Sequence, residues 1–398
     1  MAWNMCNLME KRSEFVKLAG SIRSGTSPGS LVELCERYGI SRKTGYKWLG
    51  RHETEGPAGL ANRSRAPKRQ AHQTPKEMEQ RVLSLREDHP GWGGRKLRRR
   101  LLNLGETAVP AASSITEILR RHGQLEEGAG AGKRRATQRF ERQQPNDLWQ
   151  MDFKGHFGLA GGGRCHPLTV TDDHSRFNIL LAACGDERSQ TVREKLMESF
   201  ECYGLPAQIL CDNATIWGCP KRRQGLSTLE AWLVRVGVET IHGRPYHPQT
   251  QGKEERFHQT LNHEVISRRK TWEDLMQCDE VFWEWRIIYN EQRPHEALGD
   301  ATPVSRYAVS ARRYSGEQEM ECYYEPGVLR RKVDRSGEIS FRGMICYLGM
   351  GLAGEVVGLR EVGERQWSVS YGWKRLGKLE IPGKKGEATT VYLCRMSG

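Results

Sequence analysis

Two apolar runs of this chain each lead into an aspartate: LWQM precedes Asp152 and AQILC precedes Asp212. Short apolar runs of this kind read as buried strands, and acidic residues at strand ends stand where an α/β sheet places its chemistry. Between them, CHPLTVTDD and RFNILLAAC form a hairpin through residues 173–175, and SQTVREKLMESFECYG repeats its apolar residues at helical spacing. The order is therefore β-β-β-α-β. A further helix over residues 227–237 and the short strand VETIHG follow, and then comes a Pro- and Gly-containing loop ending at Gly252. That loop opens a helix whose first turn carries Glu254 and Glu255, within HPQTQGKEERFH.

Each acid has an ordinary explanation when taken singly. Asp152 can also be read as a solvent-facing strand residue, Asp212 as a turn former with Asn213, and the two glutamates as acids that favour a helix N-terminus. Three carboxylate stations together suggest a site that holds divalent metal and acts on phosphodiesters. Two cations roughly 4 Å apart activate a nucleophile and stabilise charge on the leaving oxygen, and hard oxygen ligands suit Mg²⁺ or Mn²⁺. The expectation is two ions per site.

Charge is distributed unevenly. The net charge is +13 with a pI near 9.3, and almost all of the excess lies before residue 146. That half is expected to be the main grip on a polyanion, against the plainer alternative of a solvated basic surface. Residues 10–22 place Phe15, Val16, Leu18 and Ile22 on one stripe, LVELCERYG is a second short helix, and Ser41 is a good N-cap for RKTGYKWLGRH. On that third helix Lys43, Lys47 and Arg51 recur every four residues beside Arg42, with Tyr46, Trp48 and Leu49 available to pack. This is the order of a helix-turn-helix unit, in which the last helix enters the DNA major groove. The other reading is a three-helix bundle with a charged outer face.

The pattern recurs. After a basic, Pro-containing linker, a helix over residues 76–88 precedes GWGGRKLRRRLLN and SSITEILRRHG, with Ser113 or Ser114 as cap and Arg95, Lys96 and Arg99 as phosphate-facing cations. The boundaries expected are 1–60 and 76–125 for two helix-turn-helix domains, 61–75 and 126–145 for linkers, 146–308 for an α/β core and 309–398 for a small all-β domain. In that last region YEPGVLRRKVDRSGEISFRGMICYLG turns at DRSG, and QWSVSYGWKRLGKLEIP alternates in the same way. Eleven cysteines without a C-x-x-C pair point to a reducing cytosol. No apolar run approaches the roughly 20 residues of a membrane span, so a soluble, cytoplasmic, nucleoid-associated protein is expected, with no membrane partner and no small-molecule substrate.

LWQMDFKG, the CDN holding Asp212, GRPYHPQTQGKEERFHQTL and YNEQRPHEALGDATP, in this order, resemble the motifs of the retroviral-integrase-like DDE recombinases. The closest resemblance is to bacterial insertion-sequence transposases made from one reading frame. SRKTGYKW and HPGWGGRKL are similar to the double helix-turn-helix that precedes the core in that group. The resemblance implies a ribonuclease-H-like core, an SH3-like C-terminal barrel and a catalytic, metal-binding triad. Matched motif by motif, the triad is Asp152, Asp212 and Glu255, which lies three residues after the loop glycine. It further implies recognition of the terminal inverted repeats of an element, DNA cleavage and strand transfer, and a dimer or larger homo-oligomer on double-stranded DNA.

Departures mark where the transfer is weakest. Forty-two residues separate Asp212 from Glu255, more than in retroviral integrases, and the extra length falls in residues 216–227. Lys221, Arg222 and Arg223 there either contact DNA or belong to a tolerated surface insertion. Gln259 and Asn262 stand where integrases place basic residues beyond the catalytic Glu. His258, one turn after Glu255, either orients the reacting groups or is a carboxylate's passive neighbour, while Asn213 and Arg256 are supporting candidates. Arg293, Pro294 and His295 close the core, with Trp283 and Trp285 as packing residues. The C-terminal barrel contacts DNA or a neighbouring subunit. Two other functions fit part of the pattern: a DNA-binding regulator derived from such an enzyme, and a ribonuclease-H-like metal nuclease.

Overall fold

A computed structural model of the chain describes residues 8–63, 74–125, 141–212, 225–242, 252–314, 316, 322–381 and 390–393. The chain separates into two compact units, Met1–Gln73 and Thr74–Gly398.

The first unit is built from α1 (Leu8–Arg23), α2 (Leu31–Arg37) and α3 (Arg42–Glu55). Ser30 caps α2 in a reciprocal box with Glu33, and the Ser41 side chain accepts from the Thr44 amide to start α3. Phe15, Val16, Ala19, Leu34, Cys35, Trp48, Leu49 and Leu60 form its core. Gly45 is required where α3 crosses its neighbours, because a Cβ there would stand 2.6 Å from Cys35 Sγ. Arg12 is buried, lies 3.9 Å over the Trp48 ring and donates to Leu60 O at 2.6 Å. Tyr46 does not pack as the sequence suggested. The inward stripe is Gly45, Trp48 and Leu49, and Tyr46, 100° further round the helix from Gly45, is 60% exposed.

In the second unit α4 (Lys76–Asp88), α5 (Gly94–Asn103) and α6 (Ala112–Arg121) enclose Val82, Leu85, Trp92, Leu97, Leu101, Ile115, Ile118 and Leu119. Neither Ser113 nor Ser114 caps α6, which starts at Ala112 with both serines already inside its first turn. The core sheet follows: β1 (Leu148–Phe153), β2 (Phe157–Gly158), β3 (Arg164–Asp172) and β4 (Asn178–Cys184), then α7 (Ser189–Tyr203), β5 (Gln208–Cys211), α8 (Thr228–Arg235) and β6 (Glu239–His242). β4 and β1 flank β3 antiparallel, and β5 and β6 continue parallel to β1. One face is covered by α7 and α8 through Phe200, Trp232 and Leu233. The other is covered by α9 (Gly252–Glu264) and α10 (Leu275–Ile287) through Phe257, Leu261, Phe282 and Trp285. Burial on both faces explains why NILLAAC carries no polar alternation after its asparagine. Of the two tryptophans expected to pack on α10, only Trp285 does. Trp283 is 61% exposed, since its stripe does not include Cys278, Phe282 and Trp285.

The C-terminal region is all-β: β7 (Leu329–Lys332), β8 (Glu338–Phe341), β9 (Met344–Tyr347), β10 (Val356–Gly363), β11 (Gln366–Tyr371), β12 (Lys374–Glu380) and β13 (Thr390–Tyr392). These form a four-stranded sheet, β12-β11-β10-β7, and a three-stranded one, β13-β9-β8. Their shared core reaches Leu226, Ala231 and Val234 beside α8, and the Trp373 indole N–H donates to Val234 O at 3.0 Å.

Candidate active site

β1 and β5 are parallel neighbours with Gln150 opposite Leu210. Two residues further on, Asp152 and Asp212 come level at the carboxyl ends of adjacent strands. Asp152 is partly buried, its Oδ1 accepts from the Phe153 amide at 2.9 Å, and its carboxyl is pushed up to about 7 by burial and then by the charge of Asp212. Such a pair of partly buried acids is what a hard divalent cation neutralises. Among the described residues no group of three His, Cys, Asp or Glu converges closely enough to hold one.

The end of β5 is anchored from its neighbour. His242 on β6 donates from Nδ1 to the Asp212 carbonyl at 3.2 Å, and its Nε2 lies 2.9 Å from Glu230 on α8. Burial pushes Glu230 up, but the hydrogen bond from His242 and the Ser227 cap outweigh it and hold the carboxyl below its usual range. The same bond raises His242.

α9 brings two acids to the other side. Lys253 pairs with the buried Asp173, which also accepts from Gln150 Nε2 at 2.6 Å, so the first turn is tied to the β3–β4 turn. Glu254 is buried. Its Oε2 lies 3.0 Å from Thr169 Oγ and 3.9 Å from His258 Nε2, and burial pushes its carboxyl up to about 8. Thr169 stands opposite Asp152 on β3, with its Oγ also 3.0 Å from the Asp152 carbonyl and 2.8 Å from His258 Nε2. His258 Nδ1 is 4.0 Å from Asp152 Oδ2, and burial followed by the charge of Lys154 pushes the imidazole down to about 4. The ring is neutral in the ordinary range.

Glu255 is exposed, with Gln259 donating to its Oε1 at 2.9 Å. The two glutamates therefore flank His258 differently: Glu254 shares the inward stripe of Phe257 and Leu261, while Glu255 lies one step round the helix. Spacing from Gly252 favours Glu255. The three- and four-residue steps to Phe257 and Leu261 were the signal that Glu254 would be the buried acid. Thr169, Glu230 and His242 carried no such signal, because their roles depend on strand pairing. Arg256 is exposed, and Asn213, Lys221, Arg222 and Arg223 lie outside the described residues.

The two helical groups present their cations differently. Arg42, Lys43 and Lys47 are exposed, while Arg51 is half-buried with its guanidinium 5.2 Å from the Trp48 ring centre. On α5, Arg99 is exposed, but Arg95 donates to Glu296 at 3.1 Å and Lys96 lies 3.8 Å from Glu264. Glu264 in turn accepts from Arg293 Nε at 3.0 Å, so the expected structural role of Arg293 includes holding this acid. No helix among the described residues is long and apolar enough to cross a membrane.

Three domain families match along the chain. An integrase core domain family matches residues 142–248, a second integrase core domain family matches residues 236–303, and a homeodomain-like domain matches residues 44–119. An uncharacterized 39.2 kDa protein of insertion element IS476 from Xanthomonas euvesicatoria is 29% identical over 42% of this chain and 46% of its own length. The corresponding 31.7 kDa protein of IS407 from Burkholderia multivorans is 26% identical over 46% of this chain and 66% of its own. The Gag-Pro-Pol polyprotein of mouse mammary tumor virus is 31% identical over 32% of this chain and 7% of its own. The chain thus spans less than two thirds of the curated relatives it matches. Among solved structures, the HTLV-2 integrase catalytic core domain in complex with magnesium is similar at 14% identity and a TM-score of 0.31, over 41% of this chain and 97% of that one. The chain thus matches a homeodomain-like domain and then integrase core domain families over its α/β region, and proteins of two bacterial insertion elements are similar to part of it.

Proposed function

We propose that this protein is a DNA transposase that binds the terminal inverted repeats of its element and catalyses metal-dependent cleavage and strand transfer at Asp152, Asp212 and Glu255. The observation that carries this is the level placement of Asp152 and Asp212 on adjacent parallel strands, with the first turn of α9 tied beside them by Lys253 and Asp173. Glu255 is favoured over Glu254 as the third ligand on physical grounds. The Glu254 carboxyl is buried and already bonded to Thr169, whereas that of Glu255 is exposed and lies three residues after the loop glycine. Glu254 then acts as a hydrogen-bonding floor that fixes Thr169 and His258 against Asp152.

Mg²⁺ or Mn²⁺ bound at these carboxylates supplies charge neutralisation and Lewis acidity. The protein's own groups orient the reaction. In cleavage, water attacks the phosphorus at an element end, the P–O3′ bond breaks and a 3′-hydroxyl is released. In strand transfer, that hydroxyl attacks a target phosphodiester, expelling a second 3′-oxygen. Nucleophile and leaving group are oxygens in both steps, so one site serves both. The cations of α3 grip the ends, and two protomers bring two ends together. The small β domain is assigned an SH3-like role at DNA or at the neighbouring protomer.

Strand transfer on a DNA fragment carrying the ends that flank the coding sequence, with Mg²⁺, tests this. Asp152→Asn, Asp212→Asn and Glu255→Gln are each expected to reduce joining by about 10³-fold or more, the scale of losing transition-state charge stabilisation, with end binding retained. Glu254→Gln should retain most activity. Full activity of Glu255→Gln with loss in Glu254→Gln would exchange the two glutamates, and binding without joining by the wild type would favour the regulator.

A further inference from the structure

The acids of this site face a substrate that is itself a polyanion, so an incoming phosphate needs a cation to meet it. Of the two lysines that flank the acids, Lys253 is already taken by Asp173. On α9, one and two turns beyond Glu255, stand the uncharged Gln259 and Asn262. Lys154 remains. It lies two residues past Asp152, where β1 has just ended, and its amide donates to Pro167 O at 3.0 Å, so its backbone is fixed to β3. Its side chain is half-buried within electrostatic reach of His258, and among the described residues no carboxylate pairs with it. Beyond it the strand edge carries two imidazoles, His156, which is exposed, and His166, with ring centres 5.3 Å apart; His166 is held by Glu187 at 2.8 Å. A partly desolvated ammonium without a counter-ion costs free energy until an anion arrives.

We propose that Lys154 contacts a backbone phosphate of the DNA beside the bond that is cut, and so positions the substrate strand over Asp152 and Asp212. This rests on the transposase reading above. The ligand chemistry is a phosphodiester oxygen accepting a charge-assisted hydrogen bond, and the contact positions the strand without reading sequence.

The test pairs variants with altered DNA. Wild type, Lys154→Gln and Lys154→Arg are assayed on end fragments in which each phosphate near the cleavage position is replaced in turn by a neutral methylphosphonate. Both binding and cleavage are measured, and thermal midpoints confirm folding. At one position the replacement should weaken wild-type binding by about tenfold, the scale of one hydrogen bond to a charged group, while Lys154→Gln, already weaker on normal DNA, loses less than about twofold more. Lys154→Arg should recover part of the loss. Equal sensitivity of wild type and Lys154→Gln at every position overturns the proposal, as does normal binding and cleavage by Lys154→Gln. Because binding is read separately, a wild type that binds but does not cleave sinks the transposase reading and still decides the lysine contact.

Discussion

The two helical groups look alike as sequences, each a trio of helices with Arg and Lys opposite apolar residues, yet their cations have different surroundings. On α3, Arg42, Lys43 and Lys47 are exposed, with Lys47 Nζ 4.5 Å from the centre of the Trp48 ring. On α5 the cations meet the catalytic core: Arg95 reaches Glu296, Arg100 donates to Gln292 at 2.9 Å, and Lys96 faces Glu264, while Ile288 packs against the same helical core. A basic helix face is thus open to solvent in one place, where we propose that it grips DNA, and an intramolecular clasp in the other. Charge alone does not separate the two; the acids that lie within reach do.

The largest test of this contrast is Glu264, whose side chain is 7% exposed and bonded to Arg293 and the Trp285 indole. Glu264→Gln leaves Arg293 and Lys96 without their counter-charge and should destabilise the Thr74–Gly398 unit by about 3–5 kcal/mol, read as a lower urea midpoint. Its pH dependence has a fixed sign. The charges of Arg293 and Lys96 outweigh burial and hold the carboxyl below its usual range. The stabilisation is therefore present above the ordinary carboxylate pKa and is lost as pH falls through the lowered one. A variant as stable as wild type at neutral pH would remove the clasp.

Lys96 gives the next effect. Burial, then the charge of Arg293, pushes its ammonium from 10.5 down to about 8. Between those values the unfolded chain holds a proton that the folded chain has released, so stability rises with pH across the window of about 8 to 10.5. Comparison with Lys96→Met, which cannot titrate, should isolate a gain of no more than about 3 kcal/mol over that range. If the wild-type and Lys96→Met curves ran parallel there, Lys96 would be as solvated as the lysines of α3.

These contacts explain what the sequence made legible. Strands ending at Asp152 and Asp212, the hairpin through residues 173–175 and the helix opening at Gly252 rest on local apolar spacing and turn chemistry, and each element stands within a residue or two of its expected place. Tyr46, Trp283 and the α6 cap differ because each depended on which of two adjacent positions faces inward, a choice made by packing partners far along the chain. The same limit applies at the site. Glu254 and Glu255 are one helical step apart, and Thr169, opposite Asp152 on β3, holds the first of them under the acids. The pairing of α5 with Glu264 and Glu296 links residues about 170 and 200 apart, beyond any periodic signal.

The smallest effect separates the two groups most directly. Lys43→Ala and Arg95→Ala each remove one exposed cation, and neither should change stability by more than about 1 kcal/mol, since the Arg95–Glu296 pair has 64% and 74% of its side chains exposed. Their effects on DNA should differ. If α3 grips phosphates, Lys43→Ala lowers the slope of log affinity against log salt by about one, whereas Arg95, already facing an acid, leaves it unchanged. Titrations of duplex DNA at several salt concentrations measure both slopes. Equal losses would mean that Arg95 releases Glu296 on binding, and the α5 face would then join α3 as part of the DNA grip.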